Sequence, residues 1–272
     1  MDARIPDSIQ PLIDAYLRGL EPLCSHFYGI YVYGSIALGA FEELESDIDI
    51  IALTQGEWSP HELEQLKALH IRLIKEYPLG RRLEVFYPPS CSLGVTRSDV
   101  HSGAVDPYPV MRDGIFEPAA RGGLNVVAWW IIKHHGLCLL GPEPCELSLK
   151  VTWDDILADM RFNLNVYFAR KVRRRPYVYL ADVAVEFAVT NLCRIFTTIE
   201  EGEIVSKSES LDRWRNRLPE RWRLLLDEAR RIRHHLGPPS LYRHRLQRWW
   251  EMLAFIQYGR ERGNSALDKN EK

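Results

Sequence analysis

Gly34, Ser35, Ser46, Asp47, Asp49 and Glu84 are the residues whose types and spacing could do chemistry together. Asp47 and Asp49 flank Ile48, and two carboxylates separated by one residue of a strand project from the same face. Such a pair suits Mg²⁺, a hard cation that takes oxygen ligands. Gly34-Ser35 follows the apolar run Tyr28-Gly29-Ile30-Tyr31-Val32-Tyr33 and reads as a strand-to-helix turn. Free backbone N–H groups and a hydroxyl at such a turn can hold a phosphate. Glu84 sits in another apolar run, Leu83-Glu84-Val85-Phe86-Tyr87. If its strand lies beside that of Asp49, three acids and a phosphate-holding turn make a two-metal site for phosphoryl transfer. The bland alternative is a pair of solvent-facing aspartates beside an ordinary turn.

Strands and helices must alternate to place these groups. Apolar spacing predicts a helix over 9–22, a strand over 28–33, a short helix over 36–42 and a strand over 47–53. Ser59-Pro60-His61-Glu62 has the form of a capped helix start, with the helix reaching about Tyr77, and 83–87 is a third strand. Residues 88–122, rich in Pro, Gly, Ser and Asp, read as an extended loop; a helix over 125–135 and a short strand over 137–140 follow. From Val151 onward only helices are expected: one to about Arg173, one over 181–199, one capped by Ser206, one begun at Pro219, and one over 240–258. The expected fold class is α+β, a small mixed sheet with flanking helices followed by an α-helical bundle. The expected domains are 1–148 and 149–258, with 259–272 a disordered tail.

Composition limits the function classes. The chain has 272 residues, and eight Trp, twelve Tyr and nine Phe supply the large side chains of a packed core, which excludes intrinsic disorder. No apolar run approaches bilayer length and no signal-peptide pattern opens the chain, so a cytoplasmic location without membrane association is expected. Five dispersed cysteines without a C-x-x-C fit neither a disulfide framework nor a thiolate zinc site. The net charge of −2 conceals an asymmetry: residues 1–150 hold 12 Lys and Arg against 20 Asp and Glu, and residues 151–272 hold 23 against 17.

The pattern Gly34-Ser35…Gly39…Ser46-Asp47-Ile48-Asp49 resembles the DNA polymerase β-like nucleotidyltransferases. Further segments resemble their streptomycin/spectinomycin (aminoglycoside) adenylyltransferase branch. These are Gly114-Ile115-Phe116-Glu117-Pro118-Ala119, Leu140-Gly141-Pro142, Cys193-Arg194-Ile195, Gly202-x-Ile204-x-Ser206-Lys207, Trp214 and Leu218-Pro219, in register over about residues 20–235. The resemblance implies a nucleotidyltransferase domain followed by a helical domain that binds substrate and ATP, with the site in the cleft between them. Asp47, Asp49 and Glu84 would be the catalytic acids and ligands of two Mg²⁺ ions, Glu84 also being the base. Gly34, Ser35 and Ser46 would touch the triphosphate, and Arg194 and Lys207 would reach ATP. The implied reaction is AMP transfer from ATP to a hydroxyl of an aminoglycoside or aminocyclitol, by a monomer, with no nucleic-acid partner.

One departure bears on the acceptor. Where streptomycin-modifying relatives carry a Trp and an Asp, Ala169–Leu180 here has neither and holds five cations between Arg170 and Arg175. Spectinomycin-like acceptors are therefore expected over streptomycin. Tyr108, Asp182 and Glu186 are the candidate acceptor contacts, the last two being more simply solvated helix charges. A structural ion pair to Glu186 or Glu200 is the bland reading of Arg194. Two rival functions are AMP transfer to a protein, RNA or other small molecule, and a non-catalytic nucleotide-binding regulatory module. The intact set of three acids weighs against the second.

Overall fold

The structure, a computed structural model, describes residues 2–95, 106–120, 124–237 and 239–270. The chain divides into two compact units, Met1–Thr152 and Trp153–Lys272, four residues beyond the boundary expected from sequence.

The first unit is built on a six-stranded sheet: β1 Phe27–Val32, β2 Ile48–Thr54, β3 Leu83–Phe86, β4 Tyr108–Arg112, β5 Ile115–Ala120 and β6 Leu137–Leu140. Their order is β5-β4-β3-β2-β1-β6, with β2 and β3 parallel and every other neighbouring pair antiparallel. β1 and β2 are interior strands, and Ile30, Tyr31, Val32, Ile48 and Ile50 to Leu53 are all buried. Such unbroken apolar runs belong to strands covered on both faces. The covering elements in this unit are α1 Gln10–Leu20, the short α2 Gly34–Ala37, α3 Pro60–Glu76 and α4 Val126–His135. Ser59 caps α3 as its sequence demands, accepting from the Glu62 N–H while the Glu62 carboxylate accepts from the Ser59 N–H. A buried polar chain runs through this core: Tyr16 donates to Tyr87 at 3.2 Å, and His70 Nε2 lies 2.7 Å from the same Tyr87 hydroxyl.

Two expectations are corrected here. β2 begins at Ile48, so Asp47 lies just ahead of the strand. The stretch 88–122, expected as a loop, contains the β4–β5 hairpin; residues 96–105 and 121–122 of it lie outside the described residues. Asp113 (φ 54°) and Gly114 (φ 76°) form its two-residue turn, with Arg112 paired to Ile115. Both central residues at positive φ match the right-handed twist of a hairpin, and Asp-Gly supplies them. Pro118 is tolerated because β5 is an edge strand.

The second unit is helical: α5 Trp153–Phe162, a π-helical segment Asn163–Phe168, α6 Ala169–Arg174, α7 Asp182–Glu201, α8 Lys207–Arg215, α9 Arg223–Arg233 and α10 Arg245–Asn270. Its central helix, α7, buries twelve of twenty residues and ends at Gly202, whose φ of 72° supplies the left-handed cap. The expected disordered tail is helix instead, because α10 continues to Asn270. The physical reason lies in its glycines and arginines. A Cβ on Gly259 would crowd Leu192 and Phe196, and one on Gly263 would crowd Leu164, so α10 approaches α7 and the π segment closely. Arg260 donates to the Leu164 carbonyl at 2.8 Å, and Arg262 bonds Glu200 at 2.8 Å. Leu267 is buried.

Candidate active site

Parallel pairing of β2 with β3 sets Asp49 directly opposite Glu84, in register with Ile48 opposite Leu83 and Ile50 opposite Val85. Facing residues of adjacent strands point the same way, so the two half-buried acids share a face while their apolar neighbours fill the core. Asp47, one step ahead of the strand, is exposed. Burial, reinforced by the charges of Asp47, Asp49 and Asp113, pushes the Glu84 carboxyl up to about 8, with Arg112 pulling the other way. Asp47 and Asp49 are thus among the charges that act on Glu84.

Gly34 serves this cluster directly. Its φ of 66° is left-handed, and a Cβ there would collide with the Asp49 carboxylate. Tyr33 donates its backbone N–H to the Asp49 carbonyl at 3.0 Å, which fixes the start of α2 against β2. The Ser35 hydroxyl is buried and has no hydrogen-bond partner among the described residues. Ser46 is employed locally, its Oγ accepting from the Glu42 N–H at 3.0 Å to close the turn that delivers Asp47. Tyr108 is buried in β4, and burial raises its hydroxyl to about 12.

Neighbours of the acids that the sequence reading missed are Tyr33, Arg112 and Asp113. Burial, then Asp49 and Glu84, raise the Tyr33 hydroxyl well above its usual range. The Asp113-Gly114 turn signal would have put Arg112 at a strand end beside β3.

No group of three or more His, Cys, Asp or Glu is drawn together as a ready-made metal cage among the described residues. Mg²⁺ rarely uses one: it is typically held by one or two carboxylates, waters and substrate phosphates. An in-register Asp49–Glu84 pair with Asp47 beside it, carrying more negative charge than Arg112 offsets, fits that habit. The buried, unsatisfied Ser35 hydroxyl adds a free polar group on the turn next to Asp49.

In the second unit, Arg194 on α7 donates Nε–H to the Val205 carbonyl at 3.0 Å. Val205 immediately precedes the Ser206 cap of α8, whose hydroxyl accepts from the Glu209 N–H at 3.2 Å, and Lys207 opens that helix. Arg194 is therefore tied to the connection that carries Lys207. The acids offered as its bland partners are engaged elsewhere, Glu186 by Arg233 at 3.1 Å and Glu200 by Arg262. Asp182 is held by Arg248 at 2.7 Å and Arg231 at 3.5 Å. As candidate acceptor contacts, Asp182 and Glu186 are thus already partnered by arginines. The same arginines surround the fully buried Glu228, bonded by Arg231, Arg248, Ser240 and the Leu241 N–H at 2.6–2.9 Å.

Residues 181–245, from the start of α7 to the start of α10, match the family described as aminoglycoside adenylyltransferase, C-terminal domain. The helical part of this chain is thus similar to the C-terminal domain of aminoglycoside adenylyltransferases. A solved structure with the same fold is the spectinomycin adenyltransferase AAD(9) from Enterococcus faecialis, determined with ATP and spectinomycin. It aligns with a TM-score of 0.65 at 14% identity, covering 93% of this chain and 98% of that one. No curated protein matches the chain by sequence. The domain match and the shared α+β fold support a nucleotidyltransferase that performs adenylyl transfer. Among the described residues no helix is long and apolar enough to cross a membrane.

Proposed function

We propose that this enzyme is an ATP- and Mg²⁺-dependent O-adenylyltransferase that modifies a hydroxyl of an aminocyclitol or aminoglycoside antibiotic, a resistance activity. The observation that carries the reading is the register of Asp49 against Glu84, with Glu84 raised to about 8 by burial and neighbouring acids. A base whose pKa lies near working pH best combines availability with proton affinity. Glu84 takes the proton of the attacking hydroxyl, whose oxygen then bonds the α-phosphorus of ATP as the bond to pyrophosphate breaks. Asp47, Asp49 and Glu84 would hold the metal, and Mg²⁺ bound there supplies charge neutralisation for the in-line displacement. Gly34 and Ser35 line the turn beside Asp49 and contact the triphosphate, with Ser46 behind Asp47. Arg194 and Lys207 supply cations for ATP from the helical unit.

Spectinomycin-like acceptors are favoured over streptomycin. Arg170, Arg173, Arg174 and Arg175 are exposed, Lys171 is half-buried, and none of the five has an ion pair among the described residues. They occupy the stretch where streptomycin-modifying relatives carry a Trp and an Asp. A doubly guanidinylated drug is repelled more strongly than a compact diamine, within the ~8–10 Å over which charges act at physiological ionic strength. The test is purified protein with labelled ATP, Mg²⁺ and each drug, read by mass spectrometry. A spectinomycin–AMP adduct formed with a higher kcat/KM than any streptomycin adduct is expected; equal values for both drugs would end the preference.

A second reading draws on the same unpaired cations. Exposed Phe162 and Tyr177 lie close to them in sequence, and Lys171 Nζ sits 5.5 Å from the Tyr167 ring. Cations interleaved with aromatic faces suit a single nucleic-acid strand, so an RNA acceptor belongs in the same screen.

A further inference from the structure

We propose that Arg82 is a positioning residue for the acid cluster, clamping the turn that delivers Asp47 beside Glu84. The inference rests on the adenylyl-transfer reading above and adds a residue to it.

Arg82 closes the single 3₁₀ turn Gly80–Arg82 and is followed at once by β3. Its Nη1–H donates to the Glu43 carbonyl at 2.8 Å, and its Nη2–H donates to the Leu44 carbonyl. Those carbonyls belong to the segment that turns into β2. Apolar burial does not hold this segment, since Leu44 is 72% exposed. Internal bonds give it shape: the Ser46 N–H donates to the Glu42 carbonyl at 2.7 Å and the Ser46 hydroxyl accepts from the Glu42 N–H. The guanidinium ties that shape to the entrance of β3. The next residues are Asp47 and Ile48, and Ile48 pairs with Leu83, the residue after Arg82. One side chain thus joins the entrance of β3 to the entrance of β2, the two strands whose acids must cooperate.

The chemistry of the clamp demands arginine. Two carbonyls one residue apart require two divergent donors in a fixed plane, which a guanidinium has and an ammonium lacks. Charge-assisted bonds are roughly twice as strong as neutral ones, and Glu42, Glu43, Glu45 and Asp47 crowd the segment with like charge. Without the clamp the two carbonyls lose the donors that fix the turn against β3. A displacement of ~1 Å at a reacting group can cost about 10²-fold in rate.

The experiment compares wild type with Arg82→Met and Arg82→Lys. Hydrogen exchange of the metal-free protein reads the turn, Mn²⁺ binding by electron paramagnetic resonance with a non-hydrolysable ATP analogue reads the acids, and steady-state kinetics read turnover. For Arg82→Met, exchange at residues 43–47 should speed by tenfold or more while that of β1 and α3 stays unchanged. Mn²⁺ affinity should fall about tenfold and kcat about 10²-fold, with the acceptor KM unmoved. Arg82→Lys, which can keep one carbonyl bond, should recover part of each loss. Unchanged exchange at 43–47, or unchanged Mn²⁺ affinity, overturns the proposal. So does a raised KM for ATP with the turn still protected, which would make Arg82 a phosphate ligand. If Arg82→Met fails to fold, the same readouts on Arg82→Lys decide. If wild type neither binds Mn²⁺ nor transfers AMP, the adenylyl-transfer reading falls, and the exchange data still judge the clamp.

Discussion

The Asp49 carboxylate occupies the space that a side chain on Gly34 would fill. The two residues are fifteen positions apart, on the turn after β1 and on β2, and each makes the other's placement possible. Gly34→Ala introduces strain at φ 66° and displaces Asp49 at once. Turnover should drop by about 10²-fold or more, while the thermal midpoint falls only modestly. Normal turnover in Gly34→Ala would show that Asp49 is not held where the chemistry needs it.

Asp47→Asn and Asp49→Asn each remove a proposed ligand charge and almost no volume. Both should lose adenylyl transfer with the fold intact, and circular dichroism alongside product analysis checks the two halves of that statement. Near wild-type turnover at saturating Mg²⁺ in either variant removes that aspartate from the metal site.

Glu84 offers a test of opposite sign for activity and stability. Its carboxyl sits at about 8 in the folded chain, above the ordinary 4.5, so the folded state disfavours the charged form. Between those values, and above, ionised Glu84 costs stability that glutamine does not. Glu84→Gln should lower turnover by about 10²-fold or more, leave ATP binding largely intact and raise the metal-free melting temperature at pH 8. A lower melting temperature would mean that the carboxylate is a structural partner.

Glu228 governs the acid side of the helical unit. Burial alone would raise its carboxyl, but bonds from Arg231, Ser240, the Leu241 N–H and Arg248 outweigh burial and hold it down at about 2. A depressed carboxylate contributes stability that is present above its unfolded value of 4.5 and disappears as pH falls toward 2. Denaturant midpoints of residues 153–272 within the full chain, followed by exchange mass spectrometry, should decline over that window. In Glu228→Gln the decline should flatten, at the cost of lower stability at pH 7, because the buried Arg248 keeps Asp182 but loses the Glu228 charge.

Much of the acidic face was legible because it is local. Asp49 and Glu84 sit in short apolar runs that mark strands, and the Ser59 and Ser206 caps are written within four residues. The β4–β5 hairpin was obscured by Pro107, Pro109 and Pro118, which mark loops unless the strand is at an edge; Asp113-Gly114 was the overlooked cue. Partners of Asp182 and Glu186 could not be read at all. Arg231, Arg233 and Arg248 lie roughly fifty to seventy positions away, and only the packing of α9 and α10 brings them near. The end of α10 failed for the same reason. Its glycines look like helix breakers locally, and their function as contact points depends on Leu164 and Leu192.

That last contact has a consequence for how the chain is born. Leu164, Leu192 and Phe196 emerge from the ribosome long before Gly259 and Gly263 do, and their matching surface does not yet exist. The sheet unit can close during synthesis, as N-terminal units do, but the helical unit must wait with an apolar groove open until α10 has been released.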